Sequence, residues 1–261
     1  MSVTTDPRRF GGLARLYGEE GLMRLTRASV CVVGLGGVGS WAVEALARSG
    51  VGALHLVDGD TVALSNTNRQ LHALGDGYGK PKAEELAARV RAINPDCRVT
   101  TAVSFVAAHN VADLVPEQAD WVLDCIDDLN GKTALVALVK SRGQRLVCSG
   151  GAGAKTDPSR VRTDDMARVK GDPLIGKLRT RLRKEHGFAQ GRADGKSAKF
   201  GIPTVYSDEP VRQPTQENNE AIGAGPDERI GFGSCVAVTA SAGLRLAGLV
   251  INELAGGKMG E

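Results

Sequence analysis

A glycine-rich turn between two apolar segments is the feature that most restricts the fold of this chain. It lies in CVVGLGGVGSWAVEAL, residues 31–46, where a short apolar run meets a G-x-G-x-x-G spacing and an alanine-rich segment follows. Glycines allow a tight strand-to-helix turn and let the backbone approach a phosphate, to which the helix N-terminus points its free N–H groups. A tight turn without a ligand has the same pattern. Asp58, 24 positions after Gly34, is placed to accept hydrogen bonds from ribose hydroxyls, which favours a nucleotide without choosing between NAD and ATP.

Strand-like and helix-like segments alternate through the first 150 residues. The strand candidates are 29–33, 54–57, 98–103, 121–125 and 145–149, and the helix candidates are 39–49, 80–93, 110–114 and 132–142. This alternation predicts an α/β fold with a doubly wound, mostly parallel sheet and a Rossmann-like nucleotide-binding half. Ligands of such sheets bind at the carboxyl ends of the strands, where we expect the glycine turn, Asp58 and Asp127.

The domain organisation is predicted from length and from a change of composition. A chain of 261 residues suits one large α/β domain or two small ones. After Gly153 the sequence is charged and rich in turn formers, but no linker separates an independent domain. We therefore expect a single domain over 1–261. Its parts would be a nucleotide-binding core (8–153), an extended C-terminal half that begins with a substrate or insert segment (154–230, partly mobile over 187–227), and a final helix (231–261).

Composition and charge exclude several classes of protein. The net charge of +3 is too small to indicate nucleic-acid binding by itself. None of the five cysteines lies in a C-x-x-C pair, which excludes the usual structural zinc site and indicates reduced intracellular thiols. The N-terminus lacks the apolar core of a signal peptide. The most apolar segment, 234–254, carries Arg245 and Glu253, so we expect a buried or subunit-facing helix rather than a membrane span, in a soluble cytoplasmic protein.

Basic and amide side chains follow the second strand in a pattern that a redox dinucleotide does not require. Residues 68–70 are Asn-Arg-Gln, and Lys80 and Lys82 come soon after them. Arginine offers forked donors and lysine a point charge, which together suit the oxygens of a triphosphate. Asp127, at the end of another strand, would suit a Mg²⁺ ion that bridges phosphate oxygens. Each side chain alone could be a solvated surface group or a helix cap. Their expected convergence at one sheet edge favours ATP with Mg²⁺.

Separated blocks of the chain occur together in one superfamily of enzymes. Over the first 150 residues these blocks are GLGGVGS, DGDTV, SNTNRQ, GKPKAE, INP and LDCIDD. Together they resemble the adenylating enzymes related to ThiF, MoeB and the ubiquitin-activating enzymes. Further blocks between Arg9 and Gly243 are RRFGGLARLYG, SGGAGAKTDPSRV, DPLIGKLRTRLRK and GFGSCVAVTASAG. With these, the chain is similar over almost its whole length to one branch, the tRNA threonylcarbamoyladenosine dehydratases.

The resemblance implies a reaction and a set of roles. Enzymes of that branch use ATP to activate the carboxylate of the threonylcarbamoyl group on adenosine 37 of certain tRNAs, and ring closure follows with net loss of water. The implied cofactors are ATP and Mg²⁺. The implied catalytic residues are Arg69, Lys82 and Asp127, of which Asp127 would also hold the metal. The implied nucleotide-binding residues are Gly34, Gly36, Gly37, Gly39, Asp58, Asn68, Gln70 and Arg15. Lys80 and Asp128 are second candidates beside Lys82 and Asp127.

Two departures from the superfamily pattern bear on the expected site. MoeB-like relatives carry an R-Y-x-R-Q motif whose second arginine reaches the ATP of the partner subunit, and here Gly12 stands near that position, which leaves Arg9 or Arg15 to replace it. The paired zinc cysteines of ThiF and MoeB are absent, and no cysteine matches a catalytic thiol, which weakens a thioester mechanism. The resemblance also implies a homodimer and cysteine-desulfurase or sulfur-acceptor partners.

A basic segment, DPLIGKLRTRLRKEHG, is the candidate contact with tRNA. Leucines 174, 178 and 182 would face inward, and Lys177, Arg181 and Lys184 lie on a neighbouring side, with Arg179 and Arg183 adding charge. Such a stripe can follow phosphates, although a solvated amphipathic helix has the same pattern. None of the four histidines has metal-ligand spacing, and His72 is the one near the expected site.

Three other functions stay open at the sequence level. One is adenylation of the C-terminus of a sulfur-carrier or ubiquitin-like protein. Another is a non-catalytic, nucleotide-binding scaffold. The third is a dehydrogenase, which the basic residues after Asp58 make the least favoured.

Overall fold

A seven-stranded sheet forms the centre of the computed structural model, which describes residues 6–191, 198–212 and 233–256. The described strands are β1 (Ser29–Val33), β2 (Ala53–Val57), β3 (Arg98–Ala102), β4 (Trp121–Asp124), β5 (Leu146–Ser149), β6 (Val161–Asp165) and β7 (Pro203–Ser207). Their order across the sheet is β3-β2-β1-β4-β5-β7-β6, and every neighbouring pair is parallel except β6 with β7. The predicted mostly parallel α/β sheet is therefore confirmed.

Helices cover both faces of the sheet. The described helices are α1 (Gly11–Arg27), α2 (Gly39–Arg48), α3 (Lys82–Ile93), α4 (Val111–Leu114), α5 (Leu129–Ser141), α6 (Pro173–Glu185) and α7 (Val236–Leu254). One apolar core lies between the sheet and α1, α2, α3 and α7, and includes Leu46, Leu86 and Leu246. The other lies beneath α4, α5 and α6, and includes Leu135 and Leu178. This double layer explains why β1, β4 and β5 are apolar runs rather than alternating ones.

The structure adds elements that the sequence pattern does not predict. Helix α1 contains four glycines and is interrupted at Gly18, whose φ of 75° and ψ of 165° are not helical, so no clear apolar stripe is visible in its sequence. Strands β6 and β7 extend the sheet from within 154–230. Strand β6 has the sequence VRTDD because it forms the sheet's edge, where only Val161 is buried. Of the expected mobile stretch, 192–197 and 213–227 lie outside the described residues.

Helix α7 packs against α2 through small residues. A Cβ atom on Gly243 would lie 2.3 Å from the carbonyl oxygen of Val38 and 3.0 Å from the Cβ of Trp41, so the two backbones approach closely. Within the described residues, α7 is the one helix long and apolar enough to cross a membrane, with a mean hydropathy of 1.2. Eight of its residues are nevertheless buried in the fold, as expected for a core helix.

We expect Gly243→Ala to destabilise the protein and Gly248→Ala to stabilise it. The new methyl group at Gly243 would meet a backbone oxygen, and overpacking of this kind costs about 3 kcal/mol. Gly248 lies in the same helix, and a Cβ atom there would meet no other described part of the protein within 4 Å, so alanine should add about 0.5–1 kcal/mol through helix propensity. Urea denaturation of both variants measures the difference. Equal stabilities would show that α2 and α7 do not pack as described.

Candidate active site

The glycine turn connects β1 to α2 at the carboxyl edge of the sheet. Gly34 has a φ of 86°, and a Cβ atom there would lie 2.8 Å from the carbonyl carbon and oxygen of Cys125. A Cβ atom on Gly39 would lie 1.8 Å from the carbonyl oxygen of Gly34. Gly36 differs from both, because the nearest atom to a Cβ there would be Gln70 Nε2 at 3.8 Å. The fold therefore requires glycine at 34 and 39, while Gly36 leaves open space above the turn.

Asp58 is joined directly to this turn. It follows β2, and its carboxylate accepts a hydrogen bond from the backbone N–H of Leu35 at 2.6 Å and one from the N–H of Asp60 at 2.9 Å. The side chain is only half-buried. The predicted ribose acid and the predicted phosphate turn thus lie side by side.

The 68–70 segment lies against the turn on its other side. A Cβ atom on Gly37 would be 3.2 Å from Arg69 Cγ. Trp41 Nε1 donates to the carbonyl oxygen of Arg69 at 3.1 Å, and the N–H of Leu71 donates to Ser40 Oγ at 3.3 Å. These two bonds attach the segment to the first turn of α2. The Ser40–Trp41 pair in the sequence therefore has a structural reason, which is to hold Arg69 beside the glycines.

The side chains of residues 68–70 differ in how many of their hydrogen-bonding groups have a partner within the protein. Arg69 Nη1 donates to the carbonyl oxygen of Ser65 at 2.8 Å and to Asn68 Oδ1 at 3.0 Å, and no described residue receives a bond from its Nη2 or Nε. Asn68 Nδ2 donates to the carbonyl oxygen of Ser234 at 2.8 Å, just before α7. Gln70 is buried, and its Oε1 has no partner among the described residues. The Gln70 atom nearest the open space at Gly36 is Nε2, so the side chain offers an N–H donor there, as a phosphate oxygen requires.

Lys82 lies in the same corner but is not a free cation. It is buried at the start of α3, and its Nζ donates to Asp60 Oδ2 at 2.5 Å. Lys80 is exposed and forms an ion pair with Glu85 at 3.5 Å. Because Asp60 is half-exposed, a bound phosphate could compete with it for Lys82. The structure therefore links Lys82 through Asp60 to the expected ribose acid Asp58.

His72 is a buried neutral base next to Lys82. Neither of its ring nitrogens has a partner among the described residues, and burial, with the charge of Lys82 as the second cause, lowers its pKa to about 4. The sequence pattern identified this histidine by its position alone. It cannot carry a positive charge at neutral pH, so the positive potential in this corner comes from Lys82 and Arg69.

We expect His72 to make the protein less stable as the pH falls from 6.5 towards 4. The folded-state pKa lies below the ordinary 6.5, so the unfolded chain binds the proton in this range and stability rises with pH. Between pH 7.5 and pH 5 the loss is about 2 kcal/mol. Denaturation of His72→Leu across this range should show a correspondingly flatter profile, whereas His186→Gln, at an exposed position, should follow the wild type. Parallel wild-type and His72→Leu profiles would contradict the expectation.

Asp127 and Asp128 follow β4, and their carboxylates differ in the hydrogen bonds that they accept. Asp128 caps α5, and its Oδ2 accepts from the N–H of Gly131 at 2.7 Å, which is the ordinary capping role. Asp127 is exposed at the sheet edge, and no hydrogen bond or ion pair with a described residue engages its carboxylate. No cluster of three metal-ligating side chains occurs in the described parts of the chain. One free carboxylate fits a Mg²⁺ ion that arrives with nucleotide phosphates, and not a resident metal held by protein alone.

A buried ion pair below Asp127 is the feature that sequence analysis missed. Lys132 Nζ lies 3.0 Å from Asp124 Oδ1, and both side chains are fully buried. Burial raises the pKa of Asp124, and Lys132 opposes that shift. The carboxylate in turn raises the pKa of Lys132 against the effect of burial. A lysine in the first turn of a helix is disfavoured by the helix dipole, which is the one sequence signal that could have pointed to a partner.

Four of the five cysteines offer no reactive thiol. Burial raises the pKa of Cys31 and Cys125 to about 12 and that of Cys97 to about 11. The pKa of Cys148 is also raised well above its ordinary value, again chiefly by burial. Since the thiolate is the nucleophile, these four residues are inert at neutral pH.

The basic helix α6 has the predicted inward face with one difference. Leu178 and Leu182 are buried as predicted, whereas Ile175 is buried in place of Leu174, which is only half-buried. Lys177 and Lys184 are exposed. The guanidinium groups of the helix are less free, because Arg181 donates to Asn130 Oδ1 at 2.6 Å, and Arg179 and Arg183 donate to backbone carbonyl oxygens.

Arg15 lies away from the glycine turn of its own chain. It is exposed on α1, a helix that begins where Phe10 packs on Gly50 at the far end of α2. The ten residues of α2 span about 15 Å. Arg9 donates to the carbonyl oxygen of Ile93 at 2.6 Å, also at the far end of its neighbouring helix α3. Within one chain, the structure does not bring either arginine to the expected nucleotide.

Comparisons with known proteins agree with this geometry. The profile of the ThiF family matches residues 11–195. The chain is 44% identical to the tRNA threonylcarbamoyladenosine dehydratase of Escherichia coli K12, over 90% of this chain and 89% of that one. It is 39% identical to the enzyme of the same name from Haemophilus influenzae, over 95% and 93% of the two chains. The crystal structure of the Escherichia coli enzyme in complex with ATP superposes with a TM-score of 0.84 at 42% identity, over 95% of this chain and 94% of that one. The chain therefore belongs to the ThiF family and, within it, to the tRNA threonylcarbamoyladenosine dehydratases.

Proposed function

We propose that this chain is an ATP-dependent enzyme that cyclises N6-threonylcarbamoyladenosine at position 37 of tRNA. The observation that carries the proposal is the direct contact between the glycine turn, Asp58 and the Arg69 segment at one sheet edge. The similarity over nine-tenths of the chain to an enzyme of that name, whose structure contains ATP, supports the same reaction.

The chemistry has two steps. A carboxylate is a poor electrophile because its oxygen leaves badly, so the threonylcarbamoyl carboxylate first attacks the α-phosphate of ATP and pyrophosphate departs. A nucleophilic atom of the same substituent then attacks the acyl carbon of the adenylate and releases its proton to solvent, and AMP leaves with the former carboxylate oxygen. The net change in the nucleoside is the loss of one water. The protein contributes by positioning the α-phosphate and neutralising the charge that develops on it.

Each side chain at the edge has a part in this scheme. Asp58 holds the ribose, and the open space above Gly36 admits the phosphates. Arg69 directs its unengaged N–H groups to phosphate oxygens, with Asn68 fixing its guanidinium. Lys82 exchanges Asp60 for a phosphate oxygen when the nucleotide binds.

The metal would be held by Asp127. When bound, Mg²⁺ neutralises phosphate charge and lowers the barrier to pyrophosphate departure. The exposed, unengaged carboxylate at this edge is the donor that such an ion requires, and phosphate oxygens and water supply the others.

Helix α6 is the proposed contact with tRNA. Lys177 and Lys184 are exposed, and Arg181 is half-exposed beside them, so the three cations can follow a phosphate backbone. Asp172, which caps the start of α6, also accepts from the N–H of Gly151 at 2.9 Å, just after β5. The helix therefore begins at the same sheet edge as the nucleotide turn. A solvated helix surface is the competing explanation, and the salt dependence of tRNA binding by Lys177→Ala and Lys184→Ala distinguishes the two.

A homodimer in the cytoplasm completes the proposal. Because α1 begins at the far end of α2 from the turn, and Arg15 is exposed on α1, we place Arg15 at the nucleotide site of a second copy. A mixture of Arg15→Ala chains and Arg69→Ala chains should then recover AMP formation that neither variant shows alone. Cysteine-desulfurase or sulfur-acceptor partners rest on the family resemblance and await a binding measurement.

One assay tests the proposed reaction. Purified protein, ATP, Mg²⁺ and tRNA bearing threonylcarbamoyladenosine should release AMP and pyrophosphate, and the nucleoside should lose the mass of one water. A small protein that ends in Gly-Gly replaces the tRNA in a parallel reaction. AMP release that requires the small protein and ignores the tRNA would favour the sulfur-carrier alternative, and no AMP release in either reaction would favour a scaffold.

A further inference from the structure

The fully buried ion pair of Asp124 and Lys132 forms hydrogen bonds with both the N–H and the carbonyl oxygen of Ile126. Lys132 Nζ donates to the carbonyl oxygen of Ile126 at 2.9 Å, and Asp124 Oδ1 accepts from the N–H of Ile126 at 3.1 Å. Asp124 Oδ2 also accepts from Cys148 Sγ at 3.4 Å, so the carboxylate is held from β5 as well. The peptide planes on either side of Ile126 are thus fixed by one ion pair.

These two peptide planes adjoin two parts of the proposed ATP site, which are Asp127 and the glycine turn. The carbonyl group of Ile126 shares its peptide plane with the N–H of Asp127, so Lys132 sets the direction in which the chain enters the proposed metal ligand. The plane before it faces the glycine turn, since a Cβ on Gly34 would lie 2.9 Å from the Ile126 nitrogen. The pair therefore acts on the one residue, Ile126, whose two peptide planes border Asp127 on one side and the glycine turn on the other.

Stability alone is a poor explanation for a pair in this position. Desolvating two charges offsets much of their attraction, and apolar residues of the same volume often stabilise a core as well or better. Lys132 also lies in the first turn of α5, where the helix dipole disfavours a cation. What apolar side chains could not supply is the pair of hydrogen bonds to Ile126.

We propose that Asp124 and Lys132 are positioning residues that hold the 125–127 backbone so that Asp127 presents its carboxylate to the metal of the bound nucleotide. This inference rests on the proposed function for the identity of the nucleotide and metal. The hold on Ile126 is a property of the chain itself and is measured without substrate.

The test uses the double substitution Asp124→Asn with Lys132→Met in the full-length protein. Removing both charges avoids leaving one of them buried and alone, so the variant should fold, and asparagine can still accept from Ile126. Glu44→Gln is the matched control. Glu44 is a buried carboxylate paired with Arg48 and Arg89, both at 2.7 Å, on α2 and remote from the 125–127 loop.

Amide hydrogen exchange and nucleotide binding are measured on the same samples. We expect the amide of Ile126, which donates to residue 124, to exchange about tenfold faster or more in the double variant, because the second clamp on this residue, from Lys132 to its carbonyl oxygen, is lost. ATP affinity in the presence of Mg²⁺ should fall about tenfold, while affinity in the presence of chelator changes by less than about twofold, because the effect passes through the metal ligand. The Glu44→Gln control should change neither quantity.

Two results would overturn the inference. One is unchanged exchange at Ile126. The other is an equal loss of ATP affinity with and without Mg²⁺, which would indicate a general loss of structure. If wild-type protein binds ATP with Mg²⁺ but releases no AMP from the modified tRNA, the proposed reaction fails while the positioning role stands. If the wild type binds no ATP, the role toward the metal fails together with the proposed function.

Discussion

Asp127→Asn is expected to lower the rate of AMP release about 100-fold or more. The substitution keeps the size of the side chain and removes its charge, which is the property a Mg²⁺ ligand requires, and the loss of one transition-state charge stabiliser costs two to three orders of magnitude. Because Asp127 makes no bond with the described residues, the fold should not change. Steady-state assays of AMP release at increasing Mg²⁺ should show a raised apparent metal requirement with a Tm close to that of the wild type.

Asp128→Asn is the control for that result. Asparagine caps helices as well as aspartate does, so the hydrogen bond from Gly131 persists and only the neighbouring negative charge disappears. We expect this variant to retain most of its activity. Loss of activity in Asp128→Asn and full activity in Asp127→Asn would reverse the assignment of the two residues.

The sequence was sufficient to predict the nucleotide half because its signals are local. The glycine motif from Gly34 to Gly39 is recognised from the strand before it and the helix after it. Asp58 is recognised from its place at the end of the next strand. In the structure these features meet through one hydrogen bond, from Leu35 to Asp58. The alternation of apolar strands and helices likewise predicts a parallel sheet without any knowledge of long-range contacts.

The contacts that tune the site could not be predicted in the same way. A lysine is almost always solvated, so nothing in the sequence marks Lys132 as fully buried until the fold places it beside Asp124. The same holds for Lys82, which local reasoning treats as a free phosphate ligand and the structure shows bonded to Asp60. Asp124 is the last residue of β4 and Asp60 lies in the loop after β2, so neither position marks its residue as the partner of a buried lysine, and both pairings depend on tertiary geometry.

The last two strands of the sheet, β7 and β6, escaped prediction for a different reason. An edge strand needs to bury only one of its faces, and β6 does so with Val161, leaving the polar sequence RTDD that is typical of a loop. Strand β7 has the mixed sequence PTVYS, and it follows a charged stretch in which composition dominates. Its pairing with β5 is what makes the C-terminal half part of the same sheet.

Gly39→Ala and Gly36→Ala should separate the two functions of the glycine turn. Alanine at Gly39 would place a methyl carbon 1.8 Å from the backbone oxygen of Gly34, which no side-chain rotation relieves, so we expect a loss of at least about 3 kcal/mol in the free energy of unfolding. Alanine at Gly36 has ordinary contact with Gln70 and no backbone strain, so its stability should stay within about 0.5 kcal/mol of the wild type.

Gly36→Ala should weaken ATP binding although it leaves the stability of the protein almost unchanged. The methyl group at Gly36 would occupy the open space above the turn, where a phosphate is proposed to approach. Overpacking of such a contact costs about 1–3 kcal/mol, so the Kd for ATP should rise about 5- to 150-fold. Isothermal titration with ATP and Mg²⁺ on folded Gly36→Ala protein measures this loss directly. Wild-type affinity in that variant would mean that the phosphates do not pass over Gly36. The turn would then serve only to join β1 to α2, and the nucleotide would have to be held by Arg69 and Lys82 from one side alone.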